Sequence, residues 1–127
     1  MENFKLEGTS KTPAVDFNAA NGILELKGRS IPENSVEFYQ QLNNWVTEYG
    51  NTPHATTVFN VKLEYFNTSS SKCLLDFFKL LEKLNEKGTS VEIKWFYEED
   101  DEDMEEAGED YNAIVSLPFT KVAVKEI

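Results

Sequence analysis

Two stretches of this chain alternate apolar and polar residues, and the stretch between them repeats at helical intervals. Over residues 57–66, Phe59, Val61, Leu63 and Tyr65 point one way while Asn60, Lys62 and Glu64 point the other. That period of two is the pattern of a half-buried strand. Val91, Ile93, Trp95 and Tyr97 alternate with Glu92, Lys94 and Phe96 in the same manner. The spacing between them predicts a helix over about residues 69–87, closed by Gly88. At roughly 100° per residue, Cys73, Leu74, Phe77, Phe78, Leu80, Leu81 and Leu84 fall on one arc, the face to be buried. Lys72, Asp76, Lys79, Glu82, Lys83 and Glu86 fall on the opposite arc, and Leu75 is an aliphatic residue among them. A strand–helix–strand crossover of this kind pairs its strands in parallel.

The amino-terminal part predicts two short strands, residues 13–17 and 23–27, joined through the hairpin-prone pair Asn21-Gly22. Ser30-Ile31-Pro32-Glu33 has the spacing of a capping box. Behind it Phe38, Leu42, Trp45, Val46 and Tyr49 recur at helical spacing up to Gly50. Pro118-Phe119, followed by Val122 and Val124 alternating with Lys121 and Lys125, predicts a last strand. The expected fold is α/β: one domain over residues 1–127, with a mixed four- to five-stranded sheet and helices mainly on one face.

Charge changes this picture at one place. The net charge is −11, yet residues 98–110 hold ten of the 23 acids and no base, leaving 13 acids against 12 bases elsewhere. The body is nearly neutral with one acidic edge, predicted as a short surface helix or loop. Nucleic acid is disfavoured as a partner, because phosphate contacts need a basic face. The run lacks the spaced acids, central Gly and terminal Glu of a calcium loop, so a divalent-metal module is an alternative of weak, nonspecific binding. No apolar run nears the roughly 20 residues of a membrane span, and the first residues lack a signal-peptide pattern. No membrane insertion is expected, and the expected compartment is the cytoplasm. One cysteine, Cys73, and one histidine, His54, leave no zinc cluster, disulfide or nucleophile–base constellation. No cofactor and no catalysis are expected.

The remaining candidate is Asn67-Thr68-Ser69-Ser70-Ser71-Lys72, at the carboxyl end of a predicted strand and the start of a predicted helix. Helix starts expose unpaired N–H groups and the positive end of the macrodipole, so a hydroxyl there can cap the helix or carry a phosphate. Extending the helical wheel backwards turns Ser70 toward the core and Thr68 onto the outer stripe of Lys72, Leu75 and Lys79. Position alone leaves both roles open, as it leaves open a constitutive interaction module that is never phosphorylated.

Several patterns run across nearly the whole chain: residues 28–35 (Gly-Arg-Ser-Ile-Pro-Glu-Asn-Ser), residues 65–72 (Tyr-Phe-Asn-Thr-Ser-Ser-Ser-Lys), Trp95-Phe96-Tyr97 leading into the acidic run, and Pro118-Phe119. Together they resemble the SiaC-like regulatory phosphoproteins of bacteria, which share the STAS-like architecture of anti-sigma-factor antagonists. The resemblance implies a threonine phosphorylated by a partner protein kinase and dephosphorylated by a metal-dependent Ser/Thr phosphatase. The unmodified form would bind a target, in the best-known branch a diguanylate cyclase that it stimulates. The matching threonine is Thr68. Around it, Asn67, Ser69, Ser71, Lys72, Leu75 and Lys79 are the expected partner surface, with Ser71 a second candidate acceptor.

Overall fold

Every parallel strand pair needs a connection that carries the chain back to its starting edge, and here each such connection holds a helix. The computed structural model describes residues 1–127. Its strands are β1 (Phe4–Leu6), β2 (Ala14–Asn18), β3 (Ile23–Ser30), β4 (Thr56–Phe66), β5 (Ser90–Glu98) and β6 (Phe119–Val124), lying side by side in sequence order. The first three run antiparallel, and β3 through β6 run parallel. The crossovers are α1 (Ser35–Tyr49), α2 (Thr68–Glu86) and α3 (Glu102–Ile114). Six strands replace the four to five expected. The extra one, β1, is three residues long, too short to show an alternation.

Register puts the large apolar residues on one face. Phe17 lies opposite Leu24, Leu24 opposite Phe59, and Phe59 opposite Ile93, all fully buried under the helices. On the other face Asp16, Glu25, Asn60 and Lys94 form the matching row. A single 24-residue apolar cluster results. Burying each large side chain within it contributes about 1.5–3 kcal/mol. None of the helices is long and apolar enough to cross a membrane.

Two local expectations are corrected. Ser30 does not cap α1: β3 continues through it, and it is completely buried. The cap is Asn34, whose Oδ1 accepts from Glu37 N–H at 3.1 Å while its Nδ2 donates to Glu37 Oε2 at 3.3 Å. The first half of a capping box is therefore present four residues later than expected, while Glu37 returns its bond to the Asn34 side chain and not to its backbone N–H. Tyr65 does not point inward. The β3–β4 register moves from Gly28↔Leu63 to Arg29↔Tyr65, a bulge that leaves Glu64 unmatched. Tyr65 is consequently 51% exposed beneath the Arg29 guanidinium, and Phe66 turns in to within 6.0 Å of the Trp95 ring.

The acidic run is mostly helix. Asp101 caps α3 through Met104 N–H at 3.1 Å, and Glu102, Asp103 and Glu105 occupy its first turn, where the macrodipole favours negative charge. Its inner face is Met104, Gly108 and Tyr111. A Cβ at Gly108 would lie 2.6 Å from Trp95 Cδ1, so only glycine permits this approach. Trp95 Nε1 donates to Met104 O at 2.9 Å, fixing the helix over the ring.

Candidate functional site

Because β3 through β6 run the same way, α1, α2 and α3 all begin at the carboxyl edge of the sheet, capped by Asn34, Asn67 and Asp101. The start of α2 is the most heavily tied of the three. Asn67 N–H donates to Ser30 O at 3.0 Å, and Asn67 Oδ1 accepts from Ser70 N–H at 2.9 Å. Thr68 is the first helical residue and is exposed; none of the hydrogen bonds that organise this turn uses its hydroxyl.

The neighbouring hydroxyls are all committed, and their donors can be assigned by counting protons. Ser70 Oγ donates to Ser30 O at 3.0 Å, and Ser30 Oγ donates to Ser70 Oγ at 2.9 Å. The Tyr39 phenol, 2.7 Å from Ser30 Oγ, is therefore left to donate to it. Burial pushes the Tyr39 phenol far above its usual range, which keeps that proton in place. A second chain runs beside the first. Ser69 Oγ donates to Asn67 Oδ1 at 3.2 Å, so Ser35 Oγ, 2.7 Å away, donates to Ser69. Both chains start on α1; one ends on the Ser30 carbonyl, which also accepts from Asn67 N–H, and the other on Asn67 Oδ1.

Thr68 also opens onto a groove of about 520 Å³. One wall is Thr68, Ser71, Lys72 and Leu75 of α2; the other is Ala107, Asp110, Tyr111 and Ile114 of α3; Phe66 completes it. Lys72 and Asp110 are its only charged members. Leu75 is half-buried in this groove, and Ile114, 62% exposed, extends its apolar surface outward. Tyr111 OH donates to Ser71 O at 2.8 Å and lies 3.1 Å from Ser71 Oγ, which joins the walls. Burial raises the Tyr111 pKa, with the Ser71 bond acting in the opposite sense.

The structure thus gathers Thr68, Ser71, Lys72 and Leu75 at one groove, with Asn67 and Ser69 committed to the cap beside it. Lys79 is exposed but lies outside the groove, about 16 Å along the helix axis from Thr68. Ser71 is half-buried and engaged with Tyr111, a poorer position for a modifying enzyme than Thr68. The α3 wall and the hydroxyls of Ser30, Ser35 and Tyr39 were not among the candidates from sequence. The spacing of Met104, Ala107, Tyr111 and Ile114 is the signal that would have found the wall. Cys73 is half-buried, its thiol pKa raised by burial and then by Asp76. At the acidic end, Glu98, Asp100, Asp101, Glu102 and Asp103 line an open polar hollow, and no three metal-ligating side chains converge to hold an ion.

This arrangement has relatives. An uncharacterised protein of Pseudomonas aeruginosa (strain UCBPP-PA14) is 33% identical over 119 residues, covering 94% of each chain. The crystal structure of apo-SiaC from Pseudomonas aeruginosa matches 97% of this chain and 100% of its own, with a TM-score of 0.87 at 32% identity. SiaC bound as activator to the diguanylate cyclase SiaD of Pseudomonas aeruginosa matches 95% of this chain and 99% of its own, with a TM-score of 0.88 at 32% identity. The family described as SiaC family regulatory phosphoprotein matches residues 6–124, and the chain belongs to that family.

Proposed function

We propose that this protein is a non-enzymatic partner switch in cyclic di-GMP signalling, acting in the cytoplasm. Its unmodified form binds and regulates a target of the diguanylate cyclase class; a partner kinase phosphorylates Thr68 and ends that binding; a metal-dependent Ser/Thr phosphatase restores it. The observation that carries this reading is the isolation of one hydroxyl. Thr68 is exposed, unbonded and at the rim of an apolar groove, while every other hydroxyl of its cluster is occupied.

Phosphorylation adds about −1.5 to −2 charges and strong acceptor oxygens. At the first position of α2 this charge meets free backbone N–H groups and the Lys72 ammonium one turn on, so the domain stays folded. A partner seated over Leu75 and Ile114 has no such compensation. It must desolvate a dianion beside Asp110 to keep its apolar contacts, and it dissociates. Membership of a family described as regulatory phosphoproteins supports the same reading.

The test is calorimetric binding of wild type, Thr68→Ala and Thr68→Asp to a diguanylate cyclase from the same host. Thr68→Ala should bind as wild type does and Thr68→Asp about tenfold or more weakly, a loss of about 1.4 kcal/mol. Equal affinity of wild type and Thr68→Asp would remove the mechanism.

A further inference from the structure

We propose that Tyr39 and Ser35 of α1 are positioning residues of the switch, an inference that rests on the function proposed above: the hydroxyl chains they head hold the first turn of α2 in place while Thr68 changes its covalent state. A helix start is the least constrained part of a helix, because its first N–H groups have no partner within it. Thr68 occupies that place, and its own hydroxyl contributes no restraint. The restraint comes from the next two residues. Ser69 is bonded to Ser35, and Ser70 to Ser30, which Tyr39 in turn bonds.

The cost of this design points to a purpose. Ser30 and Ser70 are completely buried, Tyr39 is 1% exposed and Ser35 is 4% exposed. A well-packed apolar core needs no such hydroxyls, and a buried polar cluster is favourable only when every member is satisfied. Here each proton has one destination, and one chain ends on Ser30 O, which also receives Asn67 N–H, the other on Asn67 Oδ1. Deleting the Ser35 hydroxyl removes the donor to Ser69 in the first turn of α2, and deleting the Tyr39 hydroxyl orphans Ser30 Oγ on β3, the group that donates to Ser70 of that turn. A modifying enzyme must bring the Thr68 oxygen into line with a phosphorus atom, and a turn held from α1 presents it in one position.

The test uses a kinase-containing extract of the native host, ATP and purified variants, with Thr68 phosphate followed by mass spectrometry across substrate concentrations. Tyr39→Phe and Ser35→Ala should each lower turnover about tenfold while the apparent KM stays within about twofold, since the groove surface is unchanged. Thr57→Val, which deletes a buried hydroxyl at the opposite end of the sheet, should keep wild-type kinetics at a comparable loss of Tm. Wild-type turnover in Tyr39→Phe and Ser35→Ala overturns the positioning role. So does an equal fall in Thr57→Val, which would reduce the effect to general stability. If wild-type protein takes up no phosphate at Thr68, the proposed function itself fails, whatever the variants do.

Discussion

The two ends of α1 carry the same device for different ends. At its start, Tyr39 donates to Ser30, Ser30 to Ser70, and Ser70 to the Ser30 carbonyl. At its end, Tyr49 OH accepts His54 N–H at 3.0 Å and donates to Thr57, Thr57 donates to Thr89, and Thr89 donates to His54 O at 2.6 Å. Each chain begins at a buried tyrosine, passes through a strand hydroxyl and closes on a main-chain carbonyl. The far chain ties turns to one another, and the exposed hydroxyls of Thr56 and Ser90 beside it are also unbonded. The near chain ties down a helix start that holds one unbonded hydroxyl, beside a groove. A buried hydroxyl chain, or an unbonded hydroxyl beside it, is therefore common to both ends; the groove next to Thr68 is what sets the near end apart.

Four substitutions break or sharpen this contrast, from the largest effect to the smallest. Gly108→Ala drives a methyl into Trp95 and should cost about 2–3 kcal/mol, lowering Tm by roughly 10 °C and loosening α3 from the near end. An unchanged melting curve would mean that α3 shifts freely, and the groove would lose its fixed width. Thr57→Val orphans Tyr49 and Thr89 and should cost about 1–2 kcal/mol by urea titration, with amide exchange at Ser69 and Ser70 unaltered. Faster exchange there would show the two ends to be coupled.

Glu82→Gln tests a smaller tie, between α2 and the segment after α3. Glu82 Oε2 accepts from both Ser116 N–H and Ser116 Oγ at 2.7 Å, and these bonds hold its pKa below the ordinary 4.5. A carboxylate with a lowered folded-state pKa stabilises fully above its unfolded value and loses that contribution as pH falls through the folded value. The difference between wild type and Glu82→Gln should thus be below about 1 kcal/mol at neutral pH after solvent screening, and should vanish under acid conditions. A difference that grows on acidification contradicts the assignment. Smallest of all, Thr68→Ala should change stability by less than about 0.5 kcal/mol, since no hydrogen bond is lost. A larger loss in thermal denaturation would reveal a hidden bond at the hydroxyl.

How much of this was legible in the sequence depended on whether a residue's role was carried by periodicity. Leu74, Phe77, Phe78, Leu81 and Leu84 are buried as the helical wheel requires, because a 3.6-residue period leaves few other solutions. The same wheel turns Thr68 outward, and Thr68 is exposed. Tyr65 was misplaced because a bulge shifts the alternation at a point that depends on the neighbouring strand. Tyr39 was passed over for Phe38, which is half-buried, since what matters at Tyr39 is a hydroxyl bonded to Ser30, nine residues back, and through it to Ser70. The α3 wall was hidden by its charge: six acids, five of them exposed, crowd a helix whose inner face is set by Met104, Gly108 and Tyr111.

A sheet whose strands follow one another in chain order has a consequence for biosynthesis. Each strand leaving the ribosome can dock on the one before it, without waiting for a distant segment. The ties between α1 and α2 can close once residue 70 has emerged, whereas the second wall of the groove waits for α3 and β6. A nascent chain therefore lacks the complete groove until α3 has emerged and packed.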